Sequence, residues 1–77
     1  MKELTDLRIS KNALTKIDVN QNAKLQYLEA DYNLITKVVA DKSVPIIELH
    51  LQKNELKKLD LAKFESIAIL NVSENEI

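Results

Sequence analysis

Cysteine and glycine are absent from this sequence of 77 residues. Without cysteine there is no disulfide staple and no thiolate metal site. Without glycine there is no loop to cradle a phosphate and no turn that depends on glycine's freedom. Proline occurs once, at Pro45, and histidine once, at His50. A single histidine does not make a histidine-rich metal site. Neither sign of charge dominates: 11 Lys+Arg stand against 12 Asp+Glu, for a net charge of −1. The basic excess that marks a nucleic-acid binder is therefore missing. No apolar run approaches the ~18 residues of a membrane helix. The opening Met1-Lys2-Glu3-Leu4-Thr5-Asp6 has no apolar stretch of signal-peptide length. A secreted parent stays compatible with the chain as an excerpt.

What is present is an ordinary apolar fraction, 45%, in a chain long enough for one domain with a thin core. Below roughly 70–80 residues a single core rarely supplies more than about 3–5 kcal/mol. The apolar residues follow a fixed phase. Four segments align without a gap: LTDLRISKNAL (4–14), LQYLEADYNLI (25–35), IIELHLQKNEL (46–56) and IAILNVSENEI (67–77). Their first residues, Leu4, Leu25, Ile46 and Ile67, are 21 residues apart. Each reads L-x-x-L-x-L-x-x-N-x-L with Ile, Val or Ala allowed at the Leu places, and Ala30 is the one weak fit. The linkers repeat as well, with Ile17/Val38/Leu59 and Val19/Ala40/Leu61 at equivalent places.

The alternation around 7–9, 28–30, 49–51 and 70–72 is a strand period. One such strand is too short to bury a face alone, and stacking the repeats joins the strands into a parallel sheet over a continuous core. The expected columns are Leu4/Leu25/Ile46/Ile67, Leu7/Leu28/Leu49/Leu70 and Ile9/Ala30/Leu51/Val72. Leu14, Ile35, Leu56 and Ile77 close the inner corner, and the linker residues line the opposite wall. Asn12, Asn33, Asn54 and Asn75 fall where the chain leaves each strand. A buried amide there both donates to and accepts from backbone groups that the turn leaves unpaired. The four are read as a structural ladder, without a catalytic role. A helix bundle is the rival fold. It needs apolar spacings of three and four and helix caps, and it does not explain a fixed Asn every 21 residues.

The segment LTKIDVNQNAKLQYLEADYN (14–33) resembles the 21-residue leucine-rich repeats of bacterial surface proteins, including a branch of the internalins. Those repeats often read L-T-x-L-D-V-S-x-N-x-x-L-x-x-L-x-C-x-x-N. Two departures stand out. The frequent Cys position holds Ile9, Ala30, Leu51 and Val72, and Asn22 becomes Ser43 and Phe64 in the next repeats. Phe64 is similar to the packed phenylalanine of leucine-rich repeats in insect and vertebrate extracellular proteins, the second candidate origin. The resemblance implies an α/β-type solenoid, a curved coil. Short parallel strands lie on its concave side, its convex segments are irregular or extended, and it has little or no helix. It implies a concave face that binds a protein or glycan ligand, with no cofactor and no enzyme activity.

The expected extent is one domain over 1–77, with repeats 4–24, 25–45 and 46–66 and a partial repeat 67–77. Solenoids need polar terminal units, and none is evident here, so the chain reads as an excerpt of a longer solenoid with end-to-end self-association expected. By alternation the concave face carries Asp6, Arg8 and Ser10; Tyr27, Glu29 and Asp31; Glu48, His50 and Gln52; and Ile69, Asn71 and Ser73. Lys11, Tyr32, Lys53 and Glu74 follow at the strand ends. Tyr and Arg dominate interface energetics, so Arg8, Tyr27 and Tyr32, with Glu29, Glu48 and His50, form the candidate contact set. Each also has a plainer reading. Tyr27 covers its cross-strand neighbours, Arg8 pairs laterally with Glu29, and Glu48 and His50 are an exposed pair with no nucleophile or metal ligand around them. Lys16, Lys37 and Lys58, with Lys57 and Lys63, interleave with Asp18, Asp41, Asp60 and Glu65 as a solvated rear face. Asn71-Val72-Ser73 is a glycosylation acceptor sequence wherever the chain meets a eukaryotic secretory route. The resulting expectation is a non-catalytic recognition module of a secreted or cell-surface protein, without direct membrane insertion. A structural spacer or an intracellular adaptor scaffold is the alternative.

Overall fold

A computed structural model describes residues 3–40, 43–59, 64 and 66–76. Six short strands follow in order: β1 (Asp6–Arg8), β2 (Lys16–Asp18), β3 (Tyr27–Glu29), β4 (Lys37–Val39), β5 (Glu48–His50) and β6 (Ile69–Asn71). No helix occurs among the described residues. The front sheet has the order β1-β3-β5-β6, and a back sheet pairs β2 with β4. Every pairing is parallel. Parallel neighbours need a crossover of a dozen or more residues. The chain between β1 and β3 supplies it and forms β2 on the way back.

The register follows the 21-residue phase. Leu7 pairs with Leu28, Leu28 with Leu49 and Leu49 with Leu70. Flanking residues of each strand therefore form outward rows: Asp6, Tyr27, Glu48, Ile69 and Arg8, Glu29, His50, Asn71. Inward, Leu25, Leu28, Ala30, Ile35, Ile46, Leu49, Leu51 and Leu56 join Ile17, Val19, Ala40, Val44 and Phe64 in one buried cluster. Withdrawing a side chain the size of Leu28 or Leu49 from water is worth about 1.5–3 kcal/mol. Burial falls away at both ends: Leu4, Leu7, Ile9 and Leu14, and Ile67, Leu70 and Val72, are only partly covered.

The back sheet refines the expectation of irregular rear segments. Ile17 pairs with Val38 and Asp18 with Val39, and β-branched side chains alternating with polar ones suit a half-buried strand. Lys58 and Leu59, the equivalent place in the third repeat, form no strand. An open cavity of about 720 Å³ lies between them and Thr36, Lys37 and Val38. Leu61 and Ile77, and Asp41, Asp60, Lys63 and Glu65 of the charged rear, lie outside the described residues.

Each front strand leaves through the same turn. Lys11, Tyr32, Lys53 and Glu74 have φ of 59°, 57°, 59° and 56°. The lack of glycine thus excludes glycine from these turns but not the left-handed conformation, which four non-glycine residues adopt at about 1–2 kcal/mol each. The asparagine that follows each one stabilises the turn. Asn33 Nδ2 donates to the carbonyls of Ala30 at 3.0 Å and Asp31 at 3.2 Å in its own turn. It also reaches the Ile9 carbonyl of the preceding repeat at 3.1 Å. Its Oδ1 accepts from the N–H groups of Asn12 at 3.0 Å and Leu14 at 3.3 Å. Asn54 and Asn75 repeat the donor pattern one and two steps on, and their Oδ1 atoms accept from the N–H groups of Ile35 and Leu56. Asn12, at the start of the row, is exposed, and its Nδ2 donates only to the Ile9 and Ser10 carbonyls of its own turn among the described residues.

Candidate functional site

The outward face of the front sheet carries a connected group of side chains. Tyr27 is at its centre because β3 is flanked by β1 and β5. The Arg8 guanidinium carbon lies 4.9 Å from the centre of the Tyr27 ring. On the other side the His50 ring lies 5.5 Å away, tilted by 43°. The Tyr27 hydroxyl donates to Glu29 Oε1 at 3.2 Å. His50 Nε2 meets Glu48 Oε2 at 3.1 Å. Five of the six expected contact residues, Arg8, Tyr27, Glu29, Glu48 and His50, thus form one group. Partial desolvation first, and then the hydrogen bond to the Glu29 carboxylate, push the Tyr27 phenol above its ordinary value.

The lateral ion pair expected between Arg8 and Glu29 is replaced by other contacts. Glu29 takes the Tyr27 hydroxyl, and the guanidinium stacks on the ring while its Nη2 lies 4.0 Å from Asp6 Oδ2. Both partners of that ion pair are largely exposed, so it is worth under about 1 kcal/mol. In front of the Asp6–Tyr27–Glu48 row lies a notch of about 210 Å³, lined also by Gln26 and Ile47.

Tyr32 stands apart from this group, at the strand exits. The Lys53 ammonium lies 4.7 Å from its ring centre and 3.6 Å from Glu74 Oε2. The hydroxyl of Tyr32 first, and then the Glu74 carboxylate, hold the Lys53 ammonium above its ordinary value. Between the two groups Ser10 donates to Asp31, and Gln52 Oε1 is buried without a hydrogen-bond partner among the described residues. Gln52 and Lys53 were not in the contact set. The alternation rule puts Gln52 on this face, but no sequence signal tells that its carbonyl is left unpaired.

Among the described residues no three His, Cys, Asp or Glu side chains gather as a metal site, and no helix is long and apolar enough to cross a membrane. Asn71 of the acceptor sequence is half-buried, and its Oδ1 accepts from the Ser73 N–H at 3.1 Å and hydroxyl at 2.8 Å. On the rear, Lys16 lies directly opposite Lys37 in the back sheet. Comparison with family models, curated proteins and solved structures returns no match for this chain.

Proposed function

We propose that the chain is a run of leucine-rich repeats coiled as a solenoid, whose front sheet is a non-catalytic surface for recognising another protein. Two observations support the coil. Strand register and the sequence phase share one step, and the asparagines donate from each repeat into the one before. The recognition role rests on the open row of Arg8, Tyr27 and His50, with Glu29 and Glu48 at its margin. Aromatic and guanidinium groups held by their neighbours lose little rotamer freedom on binding, which is the usual make-up of an interface hot spot. A glycan ligand suits the same aromatic and carboxylate set. Secretion or cell-surface display follows from the family resemblance.

A second reading, a spacer or adaptor scaffold, is favoured by one fact. Tyr27 already has Glu29, Arg8 and His50 as partners, so a purely internal role suffices for it. The two readings separate by comparing immobilised wild type, Tyr27→Ala, Arg8→Ala and the rear-face Lys37→Ala in capture from cell-surface extracts. Recognition expects a species held by wild type and Lys37→Ala and lost from both front variants, with all four chains equally folded by circular dichroism. Equal capture by all four, or none by any, leaves the spacer.

A further inference from the structure

The contacts of Tyr27 leave an opening on the front face, and we propose that this opening seats an arginine side chain of the partner protein. The inference rests on the recognition reading above and names what a partner presents there. Asp6, Tyr27 and Glu48 stand side by side in register on three consecutive strands. Tyr27 leans out of this row. Its hydroxyl donates to Glu29 at 3.2 Å, and its ring lies against Arg8 and His50, all three of which belong to the neighbouring row. The space over its own place in the row stays open between the two carboxylates. That space is the notch of about 210 Å³, and Gln26 and Ile47 complete its wall. It lies over β3, between β1 and β5, and not along an edge of the sheet.

The lining selects by charge. It holds the carboxylates of Asp6 and Glu48 and no cationic group. Among the described residues Asp6 has the Arg8 guanidinium beside it at 4.0 Å, and Glu48 has His50 Nε2 at 3.1 Å on one oxygen. A carboxylate accepts about four hydrogen bonds, so both keep acceptor capacity toward the notch. Shape then narrows the choice of cation. β1 and β5 are two strand spacings apart, about 9–10 Å. A guanidinium carries N–H donors on opposite edges of one plane, so it spans that gap better than a compact ammonium. The aliphatic stem of an arginine finds apolar surface on the exposed Ile47 and on Tyr27. Arg8 is held against the Tyr27 ring by the same chemistry from the neighbouring row.

Titration of the isotope-labelled 77-residue chain with blocked Ala-Arg-Ala, followed by amide NMR shifts, tests this. Blocked Ala-citrulline-Ala, its neutral isostere, and blocked Ala-Lys-Ala are the comparisons. The expected result is a saturating shift centred on the amides of Tyr27, Ile47 and Glu48. Binding of the citrulline peptide should be about fivefold weaker, as for partly exposed ion pairs, with the lysine peptide between the two. Asp6→Asn with Glu48→Gln keeps the side-chain sizes and should abolish the preference for arginine over citrulline. Glu55→Gln with Glu76→Gln makes the same change of charge away from the notch lining and should keep it. Equal binding of the arginine and citrulline peptides to wild type overturns the proposal, as does an arginine preference that survives in the Asp6 and Glu48 variant. Lysine bound as tightly as arginine overturns the choice of a guanidinium. The two readings fail separately: a species whose capture needs Tyr27 and Arg8, without any arginine preference in the notch, sinks the notch and leaves recognition standing. An arginine preference at the notch, with no species captured, upholds the notch and counts against protein recognition.

Discussion

Replacing Asn54 by Ala is the most direct test of the force that holds these turns together. Asn54 is 7% exposed. Its Oδ1 accepts the Ile35 N–H at 3.0 Å, and its Nδ2 donates to the carbonyls of Ala30 and Leu51, each at 3.0 Å. The two carbonyls keep a second donor after truncation, Asn33 Nδ2 at 3.0 Å and Asn75 Nδ2 at 2.9 Å. The Ile35 N–H keeps none of its described partners. A stranded buried donor costs about 1–3 kcal/mol, and each of the two lost carbonyl bonds about 0.5–1.5 kcal/mol. The variant should therefore lose about 2–6 kcal/mol, comparable with the whole stability of a core this small. The Asn12 side chain makes only exposed bonds within its own turn. Water replaces those, so Asn12→Ala should cost about 1 kcal/mol or less. Urea unfolding followed by far-ultraviolet circular dichroism gives both values, and part-buried Asn75 falls between them. Asn54→Asp keeps an acceptor for Ile35 but sets a carboxylate against carbonyls, so it should recover stability as the pH falls and the acid protonates. An Asn12→Ala cost equal to that of Asn54→Ala, or an Asn54→Ala cost under about 0.5 kcal/mol, would show that the buried amide does not hold the turn.

Three further outcomes are expected. Lys11→Asn should raise the urea midpoint, by about 0.5–1 kcal/mol in stability, and Lys11→Val should lower it, because only the former residue tolerates a φ of 59°. Lys37→Glu should stabilise by about 0.2–1 kcal/mol, since it turns a like-charged cross-strand pair with Lys16 into an opposite one; a double-mutant cycle with Lys16→Ala reads that coupling. Tyr27 and Lys53 both have raised folded-state values, so each contributes stability that is complete below its unfolded value and lost as the pH rises through its folded one. Unfolding midpoints should accordingly fall in the alkaline range above about pH 10. In a Tyr32→Phe background, tyrosinate absorbance should titrate at lower pH once Glu29→Gln removes the carboxylate from the Tyr27 hydroxyl.

The inward half of the molecule was legible in the sequence because it is periodic. Inward positions obey packing, so Leu7, Leu28, Leu49 and Leu70 announce a shared column, and the register pairs each with the next. Ala30, the weak fit, is wholly buried, so its small size does not remove it from the core. The left-handed residues were not legible. Lys11, Tyr32, Lys53 and Glu74 share a backbone shape but no side-chain property, because the amide next to each, not the residue itself, fixes the turn. The back sheet was half legible. Ile17 and Val38 show the alternation, but whether two such segments pair depends on the spacing of the front strands, which no local pattern records.

The outward face follows a different logic, and so the contacts there escape a periodic reading. Alternation says that Arg8, Tyr27, Glu29 and His50 share a face and says nothing about which will touch. Arg8 has two acceptors within reach, Asp6 on its own strand and Glu29 beside it in register. Its choice is decided by Tyr27, whose ring offers the guanidinium a surface and whose hydroxyl takes Glu29 out of competition. One aromatic side chain thus redistributes the charges of two strands. Tyr27→Phe separates the two effects: the ring still holds Arg8, but Glu29 is released and the lateral pair becomes available. A structure of that variant with Arg8 and Glu29 within ion-pair distance would bear this out. Arg8 left beside Asp6, with Glu29 unpaired, would mean that the strand geometry itself keeps them apart.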